Sequence, residues 1–393
     1  MSEKNEKKVF DLNYIATLDG VRAIAILLVV LFHFNILLGM GLSIPTPFLG
    51  WLGIHQISCK WIISTGYEMV DMMLLLSGFC LFLPHAREMI GEGKTEPTKQ
   101  FYKKRVARIF PSYYFCMALT LVIYILPKHL YASFLDFVMD FIPHEFFVHT
   151  YTHASYLGSR FNGVLWTLAV EVQFYLLFPF LVKLFKKYMW QTYLVMNVAS
   201  LAFIHIAIMG RTMDGYGMWI NQLPAFLGVY ANGMLAAYLF VKMANYFNKN
   251  GFDKCFAIFF TMVSIFCIFL YLMYMKDLNG AEQGQLWQVN HRFEIAVLYS
   301  IFLIATCFSV QAWKSIFSNR FMKFLSGISF NLYIWHQFIA ERLNKYLLFP
   351  NAVKMLVWMV LSVIVAWIVT TFIEKPAARM ILGKKAKKNV ELK

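Results

Sequence analysis

Apolar and polar positions follow one another along this chain in long blocks. The short period of a soluble amphipathic helix or strand is missing. Runs of roughly twenty predominantly apolar residues alternate with short clusters of charge, and a helix of that length crosses about 30 Å of hydrocarbon. The pattern predicts about ten spans, near 22–40, 61–84, 109–127, 164–182, 189–210, 219–241, 255–275, 293–313, 324–346 and 354–373. A helix satisfies its own backbone inside lipid, so the expected fold is all-α, a polytopic integral membrane helical bundle. The expected division is a segment over 1–20, a transmembrane domain over 21–376 and a basic tail over 377–393. No tandem repeat, low-complexity stretch or appended soluble domain is visible.

Composition agrees. Of 393 residues, 60% are hydrophobic and 15% charged, too little charge to coat a water-exposed surface. The 39 Phe, 21 Tyr and 10 Trp exclude a disordered chain. The net charge of +15 does not point to nucleic acid, because Lys and Arg sit between apolar runs instead of forming one basic face. With the N-terminus inside, the inner segments hold 27 Lys and Arg and the outer ones 9, which predicts cytoplasmic N- and C-termini. The surroundings expected are the lipid of a bacterial plasma membrane. Six cysteines lack CxxC spacing and read as small buried hydrophobes. The outer-loop histidines His129, His144, His149 and His153 lack an acidic or cysteine framework, so no metal site is expected. The first fourteen residues are polar and show no signal-peptide core.

A titratable side chain inside hydrocarbon costs several kcal/mol unless it is paired or wet. Such residues are the first functional candidates. Arg22 and His33 are eleven residues apart, which places them on one stripe of a helix about 16 Å apart in height. Asp71, Glu171 and His336 fall near mid-depth in three other spans. His33, Asp71, Glu171 and His336 thus come from four helices at similar depth. They either pair to stabilise a bundle or line a polar cavity. A sheltered histidine beside a carboxylate is a competent general base, and equally a proton relay. The residues alone leave an enzyme and a proton-coupled transporter or lipid-linked sugar exporter both open. No phosphate loop, HExxH, dinucleotide fingerprint or GxSxG elbow is present.

Six segments resemble the acyltransferase family 3 of integral membrane acyltransferases. LDGVRAIAILLVVLFHF (18–34) carries Arg22 and His33 at the family's Arg-x10-His spacing. VDMMLLLSGFCLF (70–82) carries Asp71, Ser77 and Gly78, and FYKKRVARIFPSYY (101–114) carries Arg105, Arg108 and Pro111. LWTLAVEVQFYLLFP (165–179) carries Trp166, Glu171, Phe174, Tyr175 and Pro179. GISFNLYIWHQFI (327–339) and FIEKPA (372–377) carry Tyr333, His336 and Glu374. Ala23 replaces a usual Gly, and Met72–Met73 replace a Phe pair.

The resemblance implies transfer of an acyl group, acetyl by default, from cytoplasmic acyl-CoA to a hydroxyl of an extracytoplasmic cell-envelope glycan. The donor is a co-substrate, with no tightly bound cofactor and no metal. It implies His33 as base or acyl carrier, Arg22 and Glu171 as its catalytic companions, and Arg105 and Arg108 as acyl-CoA phosphate ligands. Asp71, Ser77, Trp166, Tyr175 and His336 are supporting residues. Glu171 is expected to orient His33 if their helices meet, Asp71 to pair with Arg22, and His336 to steady oxyanion or acceptor. Relatives that carry an extracytoplasmic esterase-like domain make an envelope-biosynthesis partner protein a further expectation.

Overall fold

A computed structural model describes residues 9–39, 43–53, 55–58, 60–209 and 213–383. Residues 1–8 of the N-terminal segment and 384–393 of the basic tail therefore lie outside the described residues. The architecture is helical apart from two antiparallel three-residue strands, β1 (Ser43–Pro45) and β2 (Gln56–Ser58), with Ser43 opposite Ser58. The long helices are α1 (Ala16–Leu38), α2 (Met69–Met89), α3 (Thr98–Thr120), α4 (Trp166–Lys187), α5 (Met189–Ile208), α6 (Leu223–Asn250), α7 (Lys254–Gly280), α8 (Gly284–Phe308), α9 (Arg320–Leu343) and α10 (Asn351–Val369). Among the described residues, nine helical stretches are long and apolar enough to cross a membrane. The remaining long helix, α9, has 24 residues but buries Ser326, Ser329, Asn331 and His336. Its polar side chains face other helices: Ser326 donates to Asp19 Oδ1 at 2.9 Å, and Asn331 donates to Thr370 Oγ1 at 2.8 Å. Hydropathy alone undercounts such a helix.

One boundary differs from expectation. The basic stretch at 85–108 is helical over most of its length, so Arg105 and Arg108 sit one turn apart on α3 instead of in a loop. Lys and Arg are good helix formers with long apolar stems, and nothing in 98–108 stops a helix. Pro111 and Pro179 lie inside α3 and α4.

Between helices in lipid there is little hydrophobic driving force, so close association depends on small residues and hydrogen bonds. The glycines of α2 and α6 meet this need. A Cβ on Gly233 would lie 2.2 Å from Leu75 O, and one on Gly78 would lie 2.8 Å from Tyr230 O. Gly20 in the same way lets α1 touch the backbone of Phe317. Phe174 of α4 stacks on Tyr230 of α6 at 3.6 Å, closing the centre of the bundle.

The long loop 126–162 reaches back into the bundle. Its helix Phe134–Glu145 begins at Ser133, whose hydroxyl accepts from Asp136 N at 3.1 Å. At its far end Tyr113 and Tyr114, from the middle of α3, donate to His144 O at 2.8 Å and Glu145 O at 2.9 Å. Gln173, from the middle of α4, donates to Phe147 O at 2.8 Å. The helix is inside-out for a water-facing element: Asp140 and His144 are buried, while Leu135, Met139, Ile142 and Phe146 point outward. His144 and His149 stack at 4.0 Å with planes 3° apart. Burial pushes both imidazoles below their ordinary range.

Candidate active site

The four mid-depth titratable residues sort into three separate groups. Asp71 forms the first, with a partner that the sequence did not single out. Arg292 Nε of α8 donates to Asp71 Oδ2 at 2.7 Å, and both side chains are almost fully buried. The Arg292 Nη1 atom also reaches Ile220 O and Ala225 O at 3.4 Å, and its guanidinium lies 4.2 Å from the Phe226 ring centroid. The expected Asp71–Arg22 pair is not formed: Arg22 Nη2 instead meets Cys80 Sγ at 3.7 Å. The reason is height, since nine residues of helix separate Asp71 from Cys80 by about 13 Å.

Glu171 anchors the second group. Its Oε1 accepts from Ser77 Oγ at 2.9 Å and from the Tyr175 hydroxyl one turn along α4. Arg105 lies over the rings of Phe101 and Tyr175, 5.6 Å from each centroid. Arg108 pairs with Glu374 Oε1 and sits 5.1 Å from the Phe330 centroid. The second oxygen of Glu374 accepts from Asn331 Nδ2 at 2.7 Å. Ser77 and Cys80 are one turn apart on α2, so Arg22 and Glu171 approach the same face of that helix. Three guanidinium groups, Arg22, Arg105 and Arg108, thus gather with two carboxylates, Glu171 and Glu374. A neighbourhood with that excess suits an anion, and a guanidinium fork suits phosphate.

His33 and His336 make the third group. Their ring centroids lie 4.9 Å apart with planes at 70°. His33 Nδ1 is 2.8 Å from Val29 O, and His336 Nδ1 is 2.7 Å from Tyr333 O and 3.2 Å from Leu332 O. A carbonyl oxygen only accepts, so each Nδ1 carries the hydrogen and each neutral ring keeps its Nε2 lone pair. His33 is half-buried and His336 fully buried. Among the described residues Glu171 forms no hydrogen bond with His33; Ser77 and Tyr175 hold it instead. Trp166 opens α4 and packs against Phe226 at 5.9 Å, away from both histidines' hydrogen bonds.

Sequence reading missed Arg292 and the Asn331–Glu374 bond. Arg292 borders a predicted span, and a buried cation there was the available signal. For Asn331 no comparable signal exists, because a neutral amide on an apolar helix draws no attention until its partner is known.

The chain matches the family described as Acyltransferase domain over residues 15–371, and it belongs to that family. It is similar to the O-acetyltransferase OatA of Staphylococcus aureus strains NCTC 8325 and COL, at 24% identity over 95% of this chain. The chain spans 58% of the length of these relatives. No solved structure matches it.

Proposed function

We propose that this protein is a membrane O-acyltransferase that moves an acetyl group from acetyl-CoA on the cytoplasmic side to a hydroxyl of a cell-envelope glycan outside. The observation that carries the reading is the pairing of two stations on α1. Arg22 stands with the guanidinium group of α3, and His33, eleven residues further along, presents an imidazole with a free Nε2 lone pair. Arg105, held only by ring contacts among the described residues, takes a donor phosphate. Arg108, fixed by Glu374, contributes field and position. The names of the relatives favour acetyl as the acyl group.

In the transfer, the acceptor O–H bond breaks and its proton passes to His33 Nε2. The oxygen attacks the thioester carbonyl, and the tetrahedral intermediate collapses with cleavage of the C–S bond. The proton then moves from His33 to the leaving thiolate, so coenzyme A departs as the thiol. Glu171, with Ser77 and Tyr175, sets the wall between the stations. The 27 inner against 9 outer basic residues support cytoplasmic termini and a plasma-membrane location. A proton relay through His33, Glu171 and Asp71 finds no support, because these side chains bond to different partners.

The test is label transfer from radioactive acetyl-CoA, supplied to the cytoplasmic face of oriented vesicles containing native envelope glycan. Wild type should label the glycan and His33→Ala should not. Equal labelling by both, or none by wild type with several acyl-CoAs, would end this reading.

A further inference from the structure

Acyl transfer through His33 has one requirement that the groups described so far leave unmet, and the role inferred for His336 rests on the acyl-transfer reading. When His33 Nε2 receives a proton, an imidazolium forms at membrane depth. A base of this kind ordinarily has a carboxylate beside it to hold that charge. Among the described residues no carboxylate hydrogen-bonds to His33: Glu171 bonds to Ser77 and Tyr175, and Asp71 to Arg292. Around the histidine pair stand aromatic rings. Phe32 packs on His33 at 5.1 Å, and Phe34 on His336 at 6.4 Å, with Trp358 behind Phe34 at 5.5 Å.

His336 is in ring contact with His33, and it carries an anomaly. Among the described residues its buried Nε2 has no hydrogen-bond partner, although leaving a buried acceptor empty is unfavourable. With both Nδ1 hydrogens committed to carbonyls, neither Nε2 carries a hydrogen, so the two do not bond to each other in the resting protein. A proton arriving on His33 supplies the hydrogen that an N–H···N bond to His336 needs. We propose that His336 is the positioning partner of His33. Its empty Nε2 shares the proton taken from the acceptor hydroxyl and returns it, through His33, to the departing thiolate. His336 is unchanged over the cycle. A neutral partner leaves the resting site uncharged, which costs less in hydrocarbon than a carboxylate.

Three substitutions of His336 separate this role from packing, assayed by acetyl transfer to native glycan in the same vesicles. His336→Gln places an amide oxygen near the Nε2 position, His336→Asn preserves only the Nδ1 position, and His336→Phe keeps the ring volume alone. The Asn and Phe variants should lose about 10–100-fold in kcat with KM for acetyl-CoA unchanged. The Gln variant should stay within about fivefold of wild type. Retention of kcat within twofold by Asn and Phe would overturn the proposal. Equal loss by all three variants, or a loss carried by KM, would also overturn it and assign His336 to packing. Failure of wild type itself, by contrast, would sink the acyl-transfer reading on which the proposal rests.

Discussion

Arg105 and Arg108 are one turn apart on α3 and have the same charge, yet their surroundings assign them different work. Arg108 is tied to Glu374, itself held by Asn331, so its guanidinium is committed before any ligand arrives. Arg105 rests on Phe101 and Tyr175, and its Nε has no hydrogen-bond partner. A charge-assisted hydrogen bond to phosphate contributes about 1.5–3 kcal/mol. Arg105→Ala should therefore raise KM for acetyl-CoA by roughly 10–100-fold with little change in kcat or melting temperature. Glu374→Gln should instead lower the melting temperature, because it frees Arg108 and weakens the bond to Asn331. Steady-state kinetics beside a thermal melt in detergent distinguishes the two. The sequence made Arg105 and Arg108 visible as a pair through their type and spacing. It could not rank them, since the carboxylate that separates their roles lies 266 residues from Arg108.

The helices are held in register by contacts of two kinds, buried ion pairs and glycine-mediated backbone approach. Asp71–Arg292 is the most buried ion pair joining two helices among the described residues, linking α2 to α8. Removing one partner strands a charge, so Arg292→Met should destabilise the protein by about 3–5 kcal/mol. Arg292→Met with Asp71→Leu should recover much of that loss, because no buried charge is left behind. Thermal melts of the single and double variants measure the difference. For the glycines, Gly233→Ala forces a Cβ against Leu75 O, and overpacking of this sort costs about 1–3 kcal/mol. A Cβ on Gly327 of α9 would meet nothing within 4 Å, so Gly327→Ala should be neutral or gain up to about 1 kcal/mol in helix propensity. Span position was legible in the sequence because hydrocarbon thickness fixes the length of an apolar run. Span adjacency was not. Asp71 and Arg22 read as partners of each other, and nothing in a linear pattern says that α8 supplies the partner of one and that Cys80 meets the other.

Across the whole molecule, the chain passes back and forth so that alternate turns meet at one end of the bundle. Phe10 packs against Phe247, Phe252 and Phe308, gathering the start of α1 with the α6–α7 turn and the end of α8. Glu88 at the end of α2 pairs with Lys186 at the end of α4 on the same side. At the opposite end Asn351 donates to Leu38 O at 3.0 Å, and Ser64 donates to Asn279 Oδ1 at 2.6 Å. The acyl-transfer reading requires the first end to face the cytoplasm, where acetyl-CoA is, and the basic-residue asymmetry points the same way. Cys255 opens α7 at that end and is exposed, while Leu348 lies exposed in the turn before α10 at the other. In a chain carrying Cys59→Ser, a membrane-impermeant maleimide should leave Cys255 unlabelled in intact cells and label it after permeabilisation. With Leu348→Cys added and Cys255→Ser removing the inner thiol, intact cells should label at once. The inverse pattern would put Arg105 and Arg108 outside, beyond reach of the donor, and the two stations on α1 would then need a different reaction.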